Sequence, residues 1–307
     1  MDCCHIRQQS LLGECVKNCC STASFAYNKN MNSLMAVPVE KEGVSLTEQQ
    51  KKETVASLRP IDDVFFEVLA KSVPVCQEVL RTIMEDDNLE VKSSVTQSDE
   101  RNLYGRSVRL DALCELSDGT KVNIEVQRAD NDNHLKRARF NASSITVRGT
   151  QTGIDFDDVM ELYIIYISEF DFFKENKTIY HVDKILRETG TVVDDGLHEI
   201  FVNTAVNDGT DIAELMSCFL KKDINSEKFP ILSNEVRRLK ETEGGIQSMS
   251  DVMKKYEEIA VKEAMYAEHI TQIKKMIQKG YTKEAILDLD FTEEEYAKAE
   301  SELLLSV

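Results

Sequence analysis

Apolar and polar residues alternate most clearly between Val108 and Gln127. Two period-two runs, Val108–Leu116 and Lys121–Gln127, flank Ser117-Asp118-Gly119-Thr120, and such alternation marks half-buried strands. Asp118-Gly119 predicts a hairpin, because glycine accepts the positive φ that a tight turn requires. Centred on that pair, the turn matches residues whose numbers sum to about 237. Asp111 then lies nearly opposite Val126 and diagonal to Glu125.

The pattern on either side supplies further elements. Pro60 opens a helix whose apolar face is Phe65, Phe66 and Leu69, with Asp62 and Asp63 in its first turn. Val73-Pro74 interrupts it, and Val75, Val79, Leu80 and Ile83 carry a second helix towards Asp86. Leu89–Gln97 is β-prone and Asn102–Arg106 reads as a loop. After the hairpin, Asp130-Asn131-Asp132-Asn133 caps a helix over Asn133–Val147, with the stripe Leu135, Ala138, Ala142 and Ile145. Glu161–Phe170 is apolar enough for a strand covered on both faces. Thr178–Ile185 and Glu199–Ala205 predict two more strands, and Asp211–Leu220 a short helix. This order of strands and helices predicts an α/β fold, a mixed central sheet flanked by helices.

Beyond Asp223 the chain turns charged and helical. Ser250–Ile277 reads as one long helix ended by Gly280, and Thr282 and Thr292 cap two short ones. These resemble a helix-turn-helix tail, but a DNA-reading helix opens on Arg, Lys, Asn or Gln, whereas the last opens Thr-Glu-Glu-Glu. Packing or homo-oligomer formation through these helices is therefore expected. Residues 1–57 show no sustained period, apart from a short helix signalled by Ser45 and Glu48 and running to Lys52. The expected division is a disordered Cys-rich leader (1–57), a central domain (58–222) and an acidic helical extension (223–307).

A net charge of −18 over 307 residues argues against a broad nucleic-acid-binding surface. Residues 101–150 run the other way, with nine Lys/Arg against six Asp/Glu, so a local positive site fits. No run has the length of a membrane span, and no basic region precedes an apolar core at the N-terminus, so a cytoplasmic protein is expected. Cys3, Cys4, Cys15, Cys19 and Cys20 crowd the leader without the doubled spacing of a zinc site. Cys76, Cys114 and Cys218 sit in apolar contexts and read as core residues.

The chemistry lies in the hairpin. Asp111 and Glu125 each stand among apolar neighbours, and an unpaired buried carboxylate is costly. One explanation is a hard divalent cation such as Mg²⁺, which takes carboxylate and phosphate oxygens. The plainer one is that both acids face water from one side of an antiparallel sheet.

Asp111, fourteen residues, then Glu125-x-Gln127 resembles the Asp…(Asp/Glu)-x-Lys signature of the PD-(D/E)XK nuclease superfamily. The closer resemblance is to its Rpn-type recombination-promoting nuclease and transposase branch. It spans Leu58 to Lys222 and is carried by LRPIDDVFFEVLA, GRSVRLDAL, NIEVQ, YIIYISEFD, KTIYHVD and VNTAVNDGTDIAELM. The resemblance implies a restriction-endonuclease-like fold and a metal-dependent DNA endonuclease that assists recombination or mobile-element movement. DNA would be the partner and Mg²⁺, or Mn²⁺ in its place, the cofactor. It also implies Asp111, Glu125 and the Val126 backbone carbonyl as metal ligands, with Gln127 at the Lys position. Gln127 departs from the superfamily pattern, since an amide orients by hydrogen bonding and brings no charge. The alternative is an inactive nuclease-fold module that binds DNA or protein.

The resembled fold sometimes draws an acid from its N-terminal helix, for which Asp63 and Glu67 are the candidates; acids on such a helix more often face solvent, so they stand outside the core set. Arg137 follows the Glu125-x-Gln127 motif closely enough to be the candidate phosphate contact. His134 is expected as an exposed residue of its helix's first turn rather than a general acid.

Overall fold

The computed structural model describes residues 47–100, 108–130 and 133–304. The leader cysteines, the Asn102–Arg106 loop and the pair Asn131-Asp132 lie outside them. The chain enters through α1 (Glu48–Ser57), α2 (Asp63–Leu69) and α3 (Val73–Met84), and then forms β1 (Val91–Glu100), β2 (Val108–Leu116) and β3 (Lys121–Gln127). Helix α4 (His134–Gly149) crosses to β4 (Leu162–Ser168). Next come β5 (Ile179–Val182), β6 (Lys184–Leu186), β7 (Thr191–Val193), β8 (Leu197–Asn203) and α5 (Asp211–Phe219). Helices α6 (Pro230–Glu241), α7 (Glu243–Gln278), α8 (Lys283–Leu287) and α9 (Glu293–Leu304) complete it.

The main sheet has six strands in the order β1-β2-β3-β4-β8-β5. β1, β2 and β3 pair antiparallel, whereas β3–β4 and β4–β8 are parallel, as the α4 crossover demands. The expected mixed sheet flanked by helices, with a helical C-terminal part, is therefore what the chain builds. Val122, Ile124 and Val126 point into one core with Phe65, Leu69, Leu80 and Leu215. A second core on the other face joins Ala138, Ala142 and Ile145 of α4 to Leu162, Ile164, Tyr166 and Phe201.

Several elements differ from expectation. The hairpin closes between Leu116 and Thr120, where Leu116 N–H donates to Thr120 O at 2.9 Å, so its loop has three residues, Ser117-Asp118-Gly119, with Gly119 at φ +96°. The register accordingly shifts by one, pairing Ala112 with Ile124 and Leu113 with Asn123. Asp111 then falls level with Glu125, not Val126. The predicted strand Thr178–Ile185 is broken: Ile179–Val182 joins the main sheet, while Lys184–Leu186 pairs with Thr191–Val193 in a separate hairpin. Pro74 does not delay its helix but occupies the first turn, where its missing N–H costs nothing.

The ends of the central domain also move. The helix expected to stop at Lys52 runs to Ser57 and buries Val55 fully, so residues 48–57 are not disordered. Helix α6 and the first half of α7 place Leu232, Val236, Leu239, Met249, Val252 and Met253 in the first core. Those residues complete the central domain rather than extend it. A small third core of Ile270, Ile273, Ile286 and Ala299 holds the end of α7 to α8 and α9. Among the described residues, no helix is long and apolar enough to cross a membrane.

Candidate active site

Strand alternation places Asn123, Glu125 and Gln127 on one face of β3, the face that carries Ile164, Tyr166 and Ser168 on β4. Asp111 reaches the same place by another route. Leu110 packs in the second core while Ala112 and Cys114 pack in the first, so the alternation of β2 breaks at Asp111. The backbone ladder between β2 and β3 ends at the Ala112–Ile124 pair. Beyond it, side chains take over: Asp111 N–H donates to Glu125 Oε1 at 3.3 Å, and Val126 N–H donates to Asp111 Oδ2 at 3.0 Å. These two crossed hydrogen bonds hold both carboxylates in the gap between the strands.

The odd-numbered residues of β3 bond towards β4, as Lys121 N–H does to Glu161 O and Glu169 N–H to Gln127 O. Val126 therefore turns its N–H and its carbonyl towards β2, into the gap. Asp111, Glu125 and the Val126 carbonyl together form a set of hard oxygen donors, which fits a divalent cation.

Glu125 is nearly solvent-free and takes hydrogen bonds from Asn123 Nδ2 at 3.0 Å and from Arg137 at 3.3 Å. Burial, and then the charge of Asp111, push its carboxyl up to about 8, against the pull of Arg137 and Asn123. Burial also raises Asp111, opposed by Arg137 and by the Val126 N–H. Asp63, at the start of α2, is raised by desolvation and by the charge of Asp111, but its side chain is exposed and solvent screens the shift. Two inward carboxylates that burial and mutual repulsion both keep from ionising suit a cation beside them.

Arg137 bridges the site, its two terminal nitrogens 3.3 Å from Gln127 Oε1 and 3.3 Å from Glu125 Oε2. The expected neighbourhood of Arg137 and the motif is thus present. His134 corrects its expectation: it is fully buried, with Nδ1 2.8 Å from the Tyr166 hydroxyl and Nε2 3.3 Å from Asp130 Oδ1. It takes the inward place on α4 predicted for Leu135, which is 40% exposed. Glu67 is likewise buried, 3.8 Å from Lys255 of α7, rather than at the surface.

Asn123, Tyr166 and His134 adjoin the motif without having been expected there. Asn123 had a signal, an amide two residues before Glu125 in the same period-two register. Tyr166 is one of two tyrosines in a largely aliphatic strand, and nothing in the sequence separates it from Tyr163. Beside the site, Asp62 is shared by Arg59 at 3.0 Å and Arg128 at 3.1 Å, and Arg59 also holds Glu169 at 2.6 Å. This cluster ties the start of α2 to the ends of β3 and β4. At the opposite end of the sheet, Glu161, Asp194 and His198 bring donor atoms within 4.8 Å of one another, but the group is solvent-open and His198 already pairs with Glu161 at 2.9 Å.

Residues 70–215 match the model of a family described as PD-(D/E)XK nuclease family transposase. The matched stretch holds Asp111, Glu125, Gln127 and Arg137 and bears out the resemblance seen in the sequence. Asp63 lies before it. Comparison with curated proteins and with solved structures gives no match.

Proposed function

We propose that this PD-(D/E)XK nuclease transposase-family domain is a metal-dependent DNA endonuclease that assists recombination or the movement of mobile elements. The observation that supports it best is the crossed pair of hydrogen bonds drawing Asp111 and Glu125 into one gap beside the Val126 carbonyl. Asp111, Glu125 and that carbonyl would hold Mg²⁺, or Mn²⁺ in its place. When bound, the ion would lower the pKa of a coordinated water and polarise the phosphate.

The chain's own residues do the remaining work. Gln127 has its oxygen turned to Arg137 and Tyr166 and one Nε2 hydrogen on Ala129 O at 3.1 Å, which leaves a second N–H to orient the attacking water or a phosphate oxygen. An amide in this orientation donates; it takes no proton. Arg137 places a permanent positive charge beside the acids, where it offsets charge that develops on the phosphate. Asn123 fixes Glu125 by bonding both to it and to Ala112 O at 3.0 Å.

The test is incubation of purified protein with supercoiled and linear DNA in Mg²⁺, in Mn²⁺ and in chelator, with Asp111→Ala and Glu125→Ala in parallel. Metal-dependent nicking lost in both variants is the expected result. Full activity in either variant would refute this assignment of the site. DNA binding without cleavage under any metal would favour the second reading, an inactive nuclease-fold binding module, for which the uncharged Gln127 argues.

A further inference from the structure

The Gln127 amide has two ends of similar shape and opposite hydrogen-bonding character, and its chemistry depends on which faces the acids. Arginine only donates, so the atom 3.3 Å from Arg137 is the amide oxygen. The same oxygen lies 3.3 Å from the Tyr166 hydroxyl. Tyr166 is 2% exposed, its ring against Phe201 and His134 at centroid distances of 5.7 and 5.4 Å. His134 sits among Tyr166, Phe170 and Phe172.

A phenol has one hydrogen. Tyr166 gives it to Gln127 when His134 Nδ1, 2.8 Å away, donates to the phenol oxygen; with Nε2 facing a carboxylate, Asp130 Oδ1 at 3.3 Å, that arrangement has both ring nitrogens donating, as in the imidazolium. Phenylalanine would fill the aromatic cage equally well, and a buried hydroxyl and imidazole are costly unless their hydrogen bonds are used. We propose that Tyr166 and His134 are positioning residues, which lock the Gln127 amide with its oxygen on Arg137 and Tyr166 and its Nε2 on the Ala129 carbonyl side. As a catalytic aid the lock rests on the hydrolase reading; as a structural fact about Gln127 it does not.

Two measurements test it. In the full-length protein, the side-chain amide signals of Gln127, identified by their loss in Gln127→Ala, are followed by NMR. Tyr166→Phe, which keeps the ring, is expected to move them, and unmoved signals would overturn the proposal whether or not the protein cuts DNA. In cleavage assays Tyr166→Phe should lower kcat by about 10- to 100-fold, the usual scale for a supporting hydrogen bond, with KM for DNA unchanged. In a Gln127→Ala background the same substitution should have no further effect. An equal loss in both backgrounds would mean that Tyr166 does not act through Gln127. Moved amide signals in a protein that never cuts DNA would support the lock and refute only the hydrolase reading.

Discussion

The Val126 N–H donates to Asp111 Oδ2 at 3.0 Å, so a side chain of β2 occupies the place of a backbone carbonyl in the ladder with β3. The substitution opens the sheet where the candidate site lies and leaves the Val126 carbonyl beside two carboxylates. Asp111→Asn keeps an acceptor for that N–H but removes a charge from a crowded group. Cleavage should fall to background while metal-free stability rises by about 1 kcal/mol, because a neutral amide is cheaper to bury than a strained carboxylate. Thermal melting in chelator, run beside the nicking assay, checks both. A variant that melts earlier would mean that the charge itself stabilises the fold.

Stability should also depend on pH in an unusual direction. Glu125 is raised to about 8 and Asp111 is raised by burial beside it, so between the ordinary carboxylate range and pH 8 the folded state binds more protons than the unfolded one. The contribution of these groups is fully present below their unfolded pKa and is lost as pH rises through the folded values. Metal-free protein should therefore lose stability from about pH 5 to pH 8. Mg²⁺ should stabilise most at the upper end, where no proton competes with it. Denaturant titrations across that range, with and without Mg²⁺, would show it; a metal-free stability flat over the window would contradict the picture.

Arg137 serves Glu125 and Gln127 at once. Arg137→Ala leaves a buried carboxylate without its charged donor and should cost about 1–3 kcal/mol of stability. It should also lower cleavage and push Glu125 higher. Arg137→Lys keeps the charge but loses the planar fork that reaches both acceptors, so it should recover stability more fully than activity. Equal recovery of both would argue that charge alone matters.

The C-terminal helices make a further prediction. A chain ending at Lys222 lacks Leu232, Leu239 and Met249, which are fully buried in the first core, and should not fold. Met249→Ala in the complete chain should cost about 2–5 kcal/mol. Ending the chain after residue 260, before the third core begins at Ile270, should leave the sheet intact by circular dichroism. A stable, sheet-containing fragment ending at Lys222 would restore the division expected from composition.

Local pattern was enough to read the β2–β3 hairpin, the α4 crossover, the mixed sheet and the motif pair Asp111 and Glu125. Period-two alternation, cap residues and an Asp-Gly turn are short-range signals that tertiary contacts here only reinforce. The sequence could not choose between a two- and a three-residue loop at Asp118-Gly119, and that single residue decided which position faces Glu125. Nor could it assign His134, since a helix's first turn is polar by habit and the imidazole's buried place comes from Tyr166, Phe170, Phe172 and Asp130, which the fold gathers around it. Composition cut the domain at 222 because α6 and α7 are charged on the outside; their inner faces are read only once the first core is seen to need them. Which acids the candidate site would hold was written along the strands. How Arg137 and Tyr166 meet Glu125 and Gln127 was decided by α4 and β4 packing around one break in a sheet.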